Sequence, residues 1–506
     1  MKKTPLPTFL LLIFILLAGC VPQPSALSST EEPATASPVS LTTPTIQPAA
    51  TGIQDPAPPV TSTVQDSNVP PLSRPYYRIE ANLDYVTHSL EATEWITYTN
   101  RSGEELENLV LAVEANRWPG AFTLKEATLE EPEQAIQTSL DSNRLDLALP
   151  APLEPSESLH LKVAYTLDLP PIPPPADTTR PQPFGYTERQ TNLVDWYPYI
   201  PPYRAGQGWL IHTPGFFGEH QVYEASDYQV ELDINSHGLE LSLAASAPAE
   251  AAGEHYSFHL EGARNFVLSA SHAYQVESRQ VNGVTILGYF FPYDAAAGKQ
   301  ALEETASALE LYSELFGPYP YPSLTLVEAD FFDGMEYSGL YFLSRGFFNT
   351  YNGSPAGYLT AIAVHETAHQ WWYGQVGNDQ AMEPWLDEAL CTYMEKIFYE
   401  RRYPDFVDDW WSFRVDYYEP AGFMNGTIYS YPGFVPYRNA VYLRGAQFLD
   451  ALRAQIGDDA FFSFLKAYAM QFSGKLVSSQ DFFGVLETHT NQDIQPLLDE
   501  YFGPFE

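Results

Sequence analysis

A chain of 506 residues is too long for one ordinary core, and two or three domains are expected. Apolar residues make up 45% and aromatics 14%, which is globular composition and excludes a wholly disordered chain. The 25 Lys+Arg against 64 Asp+Glu give a net charge of −39, which repels polyanions and sets nucleic acid aside as a partner. Only Cys20 and Cys391 are present, so no disulfide framework can form if Cys20 is otherwise engaged.

Lys2 and Lys3 precede a short apolar run from Leu10 to Leu17, too short for an ordinary membrane span. The run ends in Leu17-Ala18-Gly19-Cys20, which resembles a bacterial lipobox, with cleavage before the cysteine and lipid added to its thiol. Residues 1–19 are therefore expected to be a lipoprotein signal peptide. Cys20 is the expected lipidation site, tethering the chain to a membrane on the extracytoplasmic side of a bacterial envelope. Residues 20–75 are rich in Pro, Ser and Thr, cannot bury enough apolar surface to offset ordering, and read as a lipid-anchored linker.

From Tyr76 the pattern changes. Tyr77 to Leu83 and Glu94 to Asn100 alternate with period two and carry aromatic and β-branched residues, as half-buried strands do. Leu106 to Val113, Leu145 to Leu149, Leu159 to Leu167, Tyr228 to Ile234 and Tyr256 to His259 continue the series. No helical period of any length precedes about residue 295, so residues 76–276 are expected to form an all-β domain.

Residues 277–506 read as mainly helical with a small β element, with strands at Val284 to Phe291 and Leu324 to Glu328. Helices are expected at Asp294 to Phe316, stopped by Gly317-Pro318, at Gly357 to Trp372, and at Pro384 to Glu400. Two more are expected at Ala440 to Ile456 and Asp459 to Tyr468.

The chemistry centres on His365-Glu366-Thr367-Ala368-His369. On a helix, positions i and i+4 share a face, so both imidazoles can reach one ion, while Glu366 sits about 100° round, beside the metal. A carboxylate there can take a proton from a water and pass it on. Catalytic zinc keeps a third protein ligand, and Trp385-Leu386-Asp387-Glu388-Ala389 places Glu388 after 18 intervening residues.

This arrangement resembles the gluzincins, and more narrowly the M1 aminopeptidases, whose pattern is H-E-x-x-H-x18-E with W-L-N-E-G around the last Glu. Asp387 and Ala389 depart from it. Asp333-Gly334-Met335-Glu336-Tyr337 resembles the family's G-x-M-E-N motif, which there forms an edge strand along the cleft. By that resemblance Glu336 anchors the substrate's free amine, and Gly334 and Met335 line the substrate. Asp333 and Tyr337 replace the motif's Gly and Asn. Tyr442-Leu443-Arg444-Gly445 resembles the family's Y-x-K-G, implying that Tyr442 hydrogen-bonds the oxyanion, with Tyr429, Tyr431 and Tyr437 as rivals. Gly262 to Phe266 resembles a segment near the end of the family's β domain. An upstream glutamine that holds the amine in some members has only Gln190 as a weak counterpart.

The resemblance implies a multidomain protein with an N-terminal all-β, saddle-like domain followed by a mainly α, thermolysin-like catalytic domain. The large C-terminal helical domain of many family members is expected to be missing, which predicts a more open cleft. The expected cofactor is one Zn2+ per chain on His365, His369 and Glu388, with Glu366 and Tyr442 catalytic and peptides as substrates. Cys391 reads as a small buried hydrophobe, Glu395 as support for a ligand, and the aromatic stretch from Trp410 to Tyr437 as packing in preference to pocket walls. Two other readings stay open: a peptidase with relaxed or endo-type cleavage, and a non-catalytic surface binding protein on a peptidase scaffold.

Overall fold

Alternation in Tyr76–Asp84 has the expected effect: Tyr77, Ile79, Ala81 and Leu83 are buried and the residues between them are not. In this computed structural model, which describes residues 74–504 apart from 132, 174–181 and 332, that strand lies at the centre of an eight-stranded sheet. It pairs parallel with Ser226–Asn235 and antiparallel with Ser89–Thr99. Outward on one side come His255–Ala263 and Glu250–Ala252; on the other come Ser158–Asp168, Phe122–Glu130 and Glu133–Ala135. A three-stranded and a four-stranded sheet complete the β-rich region. The signal peptide, Cys20 and the linker up to residue 73 lie outside the described residues. Among the described residues no helix is long and apolar enough to cross a membrane.

The later part of the chain is helical, but its β element is larger than expected. Five strands pair in the order Gln275–Val281, Val284–Phe290, Ser323–Ala329, Leu340–Ser344, Gly334–Tyr337. The two parallel pairings at its centre bury Ser323–Ala329 and Leu340–Ser344 along their whole lengths. Gly334–Tyr337 is antiparallel to Leu340–Ser344 and forms the sheet's edge.

Helix Ala295–Phe316 packs on helix Tyr358–Ala368, which in turn packs on helix Trp385–Arg402. Tyr312 of the first helix reaches Met394 O of the third at 3.0 Å. The expected continuous helix from Ala440 to Ile456 is split: Asn439–Arg444 is a π-helical turn, and the α-helix begins at Gly445. Gly445 must be small, because a Cβ there would lie 2.3 Å from the Cβ of Ala389 on the facing helix.

The two regions are clasped by Arg264, which is 1% exposed. From the end of the β-rich region its guanidinium donates to Tyr223 O (3.0 Å), Tyr373 O (3.1 Å), Gln375 O (3.2 Å) and Lys475 O (2.8 Å). Burial lowers its pKa, yet an arginine stays charged, so these carbonyls are what make a desolvated cation tolerable here. Gly377 permits the approach, since a Cβ there would sit 2.6 Å from the guanidinium carbon. We expect Arg264→Met to lower the unfolding free energy by about 3–5 kcal/mol, because it strands several buried carbonyls at once. A urea-denaturation midpoint equal to wild type would show that the clasp contributes nothing.

Candidate active site

Local sequence places the first two site residues. His365 lies in the last turn of helix Tyr358–Ala368 and His369 caps its C-terminus. The chain then turns tightly, and Trp372 O returns to 3.1 Å from His369 Nδ1. Glu388 enters from the first turn of helix Trp385–Arg402, where the helix dipole favours negative charge. His365 Nε2 lies 3.2 Å from Glu388 Oε2, His369 Nε2 lies 3.6 Å from that oxygen, and the two Nε2 atoms are 3.1 Å apart.

The outer hydrogen bonds fix what those atoms are. Trp372 O can only accept, so His369 Nδ1 carries the proton. His365 Nδ1 lies 2.9 Å from Glu395 Oε1. Burial acts against the charge on Glu395, but Arg414 and His365 more than offset it and hold its carboxyl below the ordinary value. Arg414 donates to both Glu395 oxygens, and Trp410 Nε1 donates to Oε2 at 3.0 Å. Glu395 is therefore an ionised acceptor, and His365 Nδ1 also donates. Both Nε2 atoms then present lone pairs to each other and to a carboxylate. Ligands bonded to one zinc ion at 2.0–2.1 Å lie about 3.3 Å apart in a tetrahedron, so the observed spacings and donor types fit such an ion.

The carboxylates respond to the same field. With a proton in place of an ion on those nitrogens, burial opposes the charge on Glu388, but hydrogen bonds from the protonated His365 and His369 hold it far below the ordinary value. Burial also works against a charged His369, yet neighbouring groups, Cys391, Glu336 and Glu388 among them, hold that imidazole well above its usual value. The constellation draws positive charge. Glu366 is fully desolvated, which pushes its pKa well up against the attraction of His369. Its Oε2 has no hydrogen-bond partner among the described residues. Its Oε1 lies so close to Gly334 that a Cβ there would come within 2.1 Å.

The other residues singled out in the sequence border the same cleft. Gly334, Met335 and Glu336 line it from the edge strand, and Glu336 belongs to a second convergent group with Glu366 and His369. Tyr442 lines it from the π-helical turn and donates to Glu388 Oε1 at 2.5 Å. Of its rivals, Tyr429 donates to Thr213 O and Tyr431 to Phe423 O, while Tyr437 lines the cleft. Arg444 stacks on Tyr501, away from the cleft. Asp333 has φ +71°, a left-handed conformation open to Gly and tolerated by Asp, and its Oδ1 accepts from Gly334 N at 3.0 Å. The departure from the motif thus keeps the backbone and adds a carboxylate to the cleft. Tyr337 faces the core and packs edge-on against Phe342.

Three sequence readings need correction or addition. Gln190 is not at the cleft: its amide reaches Glu328 O at 3.0 Å and its oxygen accepts from Asp330 N at 3.1 Å. Gln380, which no motif marks, donates to Glu336 Oε1 at 3.1 Å and to Asp387 Oδ2 at 2.9 Å. The aromatic stretch is not packing alone, because Tyr418, Phe434 and Tyr437 line the cleft, whereas Trp410 is buried behind Glu395. Cys391 is fully buried, and its thiol pKa is pushed up by that burial.

The chain is similar to known proteins. Residues 300–501 match the peptidase family M1 domain. Aminopeptidase M1-A of Oryza sativa subsp. japonica is 25% identical over 243 residues, covering 44% of this chain and 27% of that protein. Human endoplasmic reticulum aminopeptidase 1 is 28% identical over 218 residues, covering 40% and 23%. The matched segment thus spans about a quarter of these relatives' length. A crystal structure of an M1 zinc metallopeptidase from Deinococcus radiodurans superposes with a TM-score of 0.60 at 19% identity, covering 85% of this chain and 95% of that one. A mutant of that enzyme, bound to a Tyr-Ser-Ala substrate, superposes equally well (TM-score 0.60). At that identity the likeness establishes a common fold.

Removing the group that orients a ligand imidazole weakens metal affinity about 10–100-fold. We expect Glu395→Gln to do so here, read as metal content after dialysis against a graded chelator. Wild-type retention in that variant would mean that the hydrogen bond to His365 does not tune the site.

Proposed function

We propose that this chain, whose residues 300–501 match the peptidase family M1 domain, is a zinc-dependent aminopeptidase, removing residues from the free N-termini of peptides. The observation that carries the reading is the convergence of His365 Nε2, His369 Nε2 and Glu388 Oε2 beside a desolvated Glu366 whose Oε2 has no hydrogen-bond partner among the described residues. His365, His369 and Glu388 would hold zinc, which would supply Lewis-acid chemistry towards the scissile carbonyl and water. Glu366 takes the proton from the attacking water and delivers it to the departing amine, a task suited to a carboxylate whose pKa burial has raised. Tyr442, a neutral donor because burial pushes its phenol pKa well up, hydrogen-bonds the oxyanion as it forms. Glu336 pairs with the substrate ammonium, oriented by Gln380.

The tripeptide bound to the Deinococcus enzyme supports a peptide substrate for this chain. The motif departure at Tyr337 faces the core, and that favours amine anchoring over relaxed or endo-type cleavage. We further propose that the enzyme works at the bacterial cell envelope, lipid-anchored through Cys20, a reading supported by the Leu17 to Cys20 sequence.

Glu366→Gln is expected to lower kcat by about 10²–10⁴-fold on an aminoacyl p-nitroanilide with the metal retained. Activity in that variant close to wild type would overturn the assignment of the base. Blocking the amine separates exopeptidase from relaxed action: N-acetylation of a good peptide substrate should abolish turnover, and equal rates on the free and acetylated peptides would sink the aminopeptidase reading.

A further inference from the structure

Arg438 is a cleft-lining cation to which the proposed reaction gives no role. Five carboxylates border the cleft, Glu219, Asp333, Glu336, Glu366 and Glu388, against two guanidiniums. Arg414 is neutralised by its paired hydrogen bonds to Glu395. Arg438 forms no ion pair among the described residues. Its Nε and one Nη donate to a single neutral acceptor, Asn439 Oδ1, at 3.2 and 2.8 Å, and its guanidinium lies 3.9 Å over the ring of Tyr418. Stacking and the hydrogen-bonded fork fix the plane of the group. Three of its five N–H donors are left over. A half-buried guanidinium held rigid in a cleft, with donors to spare, is arranged to receive an anion from outside the fold.

Its position identifies that anion. Arg438 interacts electrostatically with Asp333, Tyr358 and Arg414, whereas Glu336 is held by Gln380 and faces His369. The cleft runs along the edge strand from Glu336 towards Asp333, three residues and about 10 Å at the rise of a strand, passing Glu366 beside Gly334. An extended peptide spans at most about 3.3–3.6 Å per residue, so the distance matches about three residues, and a shorter substrate covers it only with the added reach of the Glu336 and Arg438 side chains. A substrate whose amine sits at Glu336 and whose first carbonyl faces the histidines would bring the part beyond the cut bond to Arg438.

We propose that Arg438 is a specificity-determining residue that binds a substrate carboxylate on the leaving-group side of the cleft. The carboxylate is either the C-terminus of a di- or tripeptide or an acidic side chain just after the cleaved bond. The inference rests on the aminopeptidase reading, which sets the direction of the substrate.

The test compares kcat/KM for a dipeptide Xaa-Ala, its C-terminal amide, Xaa-Asp amide and Xaa-Asn amide, with Xaa a residue the wild-type enzyme accepts. If the C-terminus is the occupant, wild type prefers Xaa-Ala over its amide. If an acidic side chain is, wild type prefers Xaa-Asp amide over Xaa-Asn amide. In either case Arg438→Gln should reduce the preference by about tenfold or more, and Arg438→Lys should keep part of it, since the charge survives and the fork does not. The preference is a ratio within one enzyme, so a change in folded fraction cancels. No preference in wild type for either carboxylate, or a preference that survives in Arg438→Gln, overturns the proposal. No turnover of any free-amine peptide by wild type would instead count against the aminopeptidase reading.

Discussion

Two imidazole nitrogens and a carboxylate oxygen face one another across 3.1–3.6 Å in a site with almost no solvent, and the surrounding fold works to keep those repelling lone pairs together. The helix bearing His365 and His369 packs between two others, so its face cannot rotate away. Trp372 O and Glu395 hold the far sides of the rings, and Arg414 and Trp410 hold Glu395. Glu395 and Arg414 are thus costly buried charges whose desolvation is offset by their mutual hydrogen bonds, leaving an oriented imidazole as the net result. The close packing of Glu366 on Gly334 extends the constraint to the edge strand, so the Glu366 carboxylate and that backbone are fixed relative to each other.

How far the sequence revealed this depends on the range of each interaction. His365, Glu366 and His369 were legible because helical periodicity alone puts them together, and Glu388 because 18 residues allow one turn between two packed helices. The β-rich then helical order was legible from the change of period. Phe122–Glu130 escaped notice for a physical reason: a bulge between Leu124 and Glu126 breaks its alternation. The π-helical turn at Asn439–Arg444 was hidden because one wide turn changes the helical phase without changing residue type. Gln380 and Arg438 carry no local signal at all. Each acquires its role from side chains remote in the chain, Glu336 in one case and Tyr418 in the other.

The net charge of −39 takes on more specific meaning in this light. Most of the acidic residues serve solubility, but burial, joined by repulsion from neighbouring carboxylates, lifts Glu366 and Glu336 in the cleft, and Asp387 beside Gln380, above the ordinary carboxylate range. A site of this kind has a marked electrostatic polarity. One end favours ammonium groups through Glu336, and the other is tempered by arginine.

Arg264 carries a further consequence, for inheritance. Its donors end on carbonyls from Tyr223, Tyr373, Gln375 and Lys475, and Tyr373 lies only four residues beyond His369. The β-rich region is therefore part of the scaffold that shapes the turn behind His369. A genetic crossover near residue 276 that paired one half with a distant relative's other half would separate the guanidinium from the backbone it was selected to fit. The two regions are expected to diverge as a single evolutionary unit, with substitutions on one side of that seam tracked by compensating changes on the other.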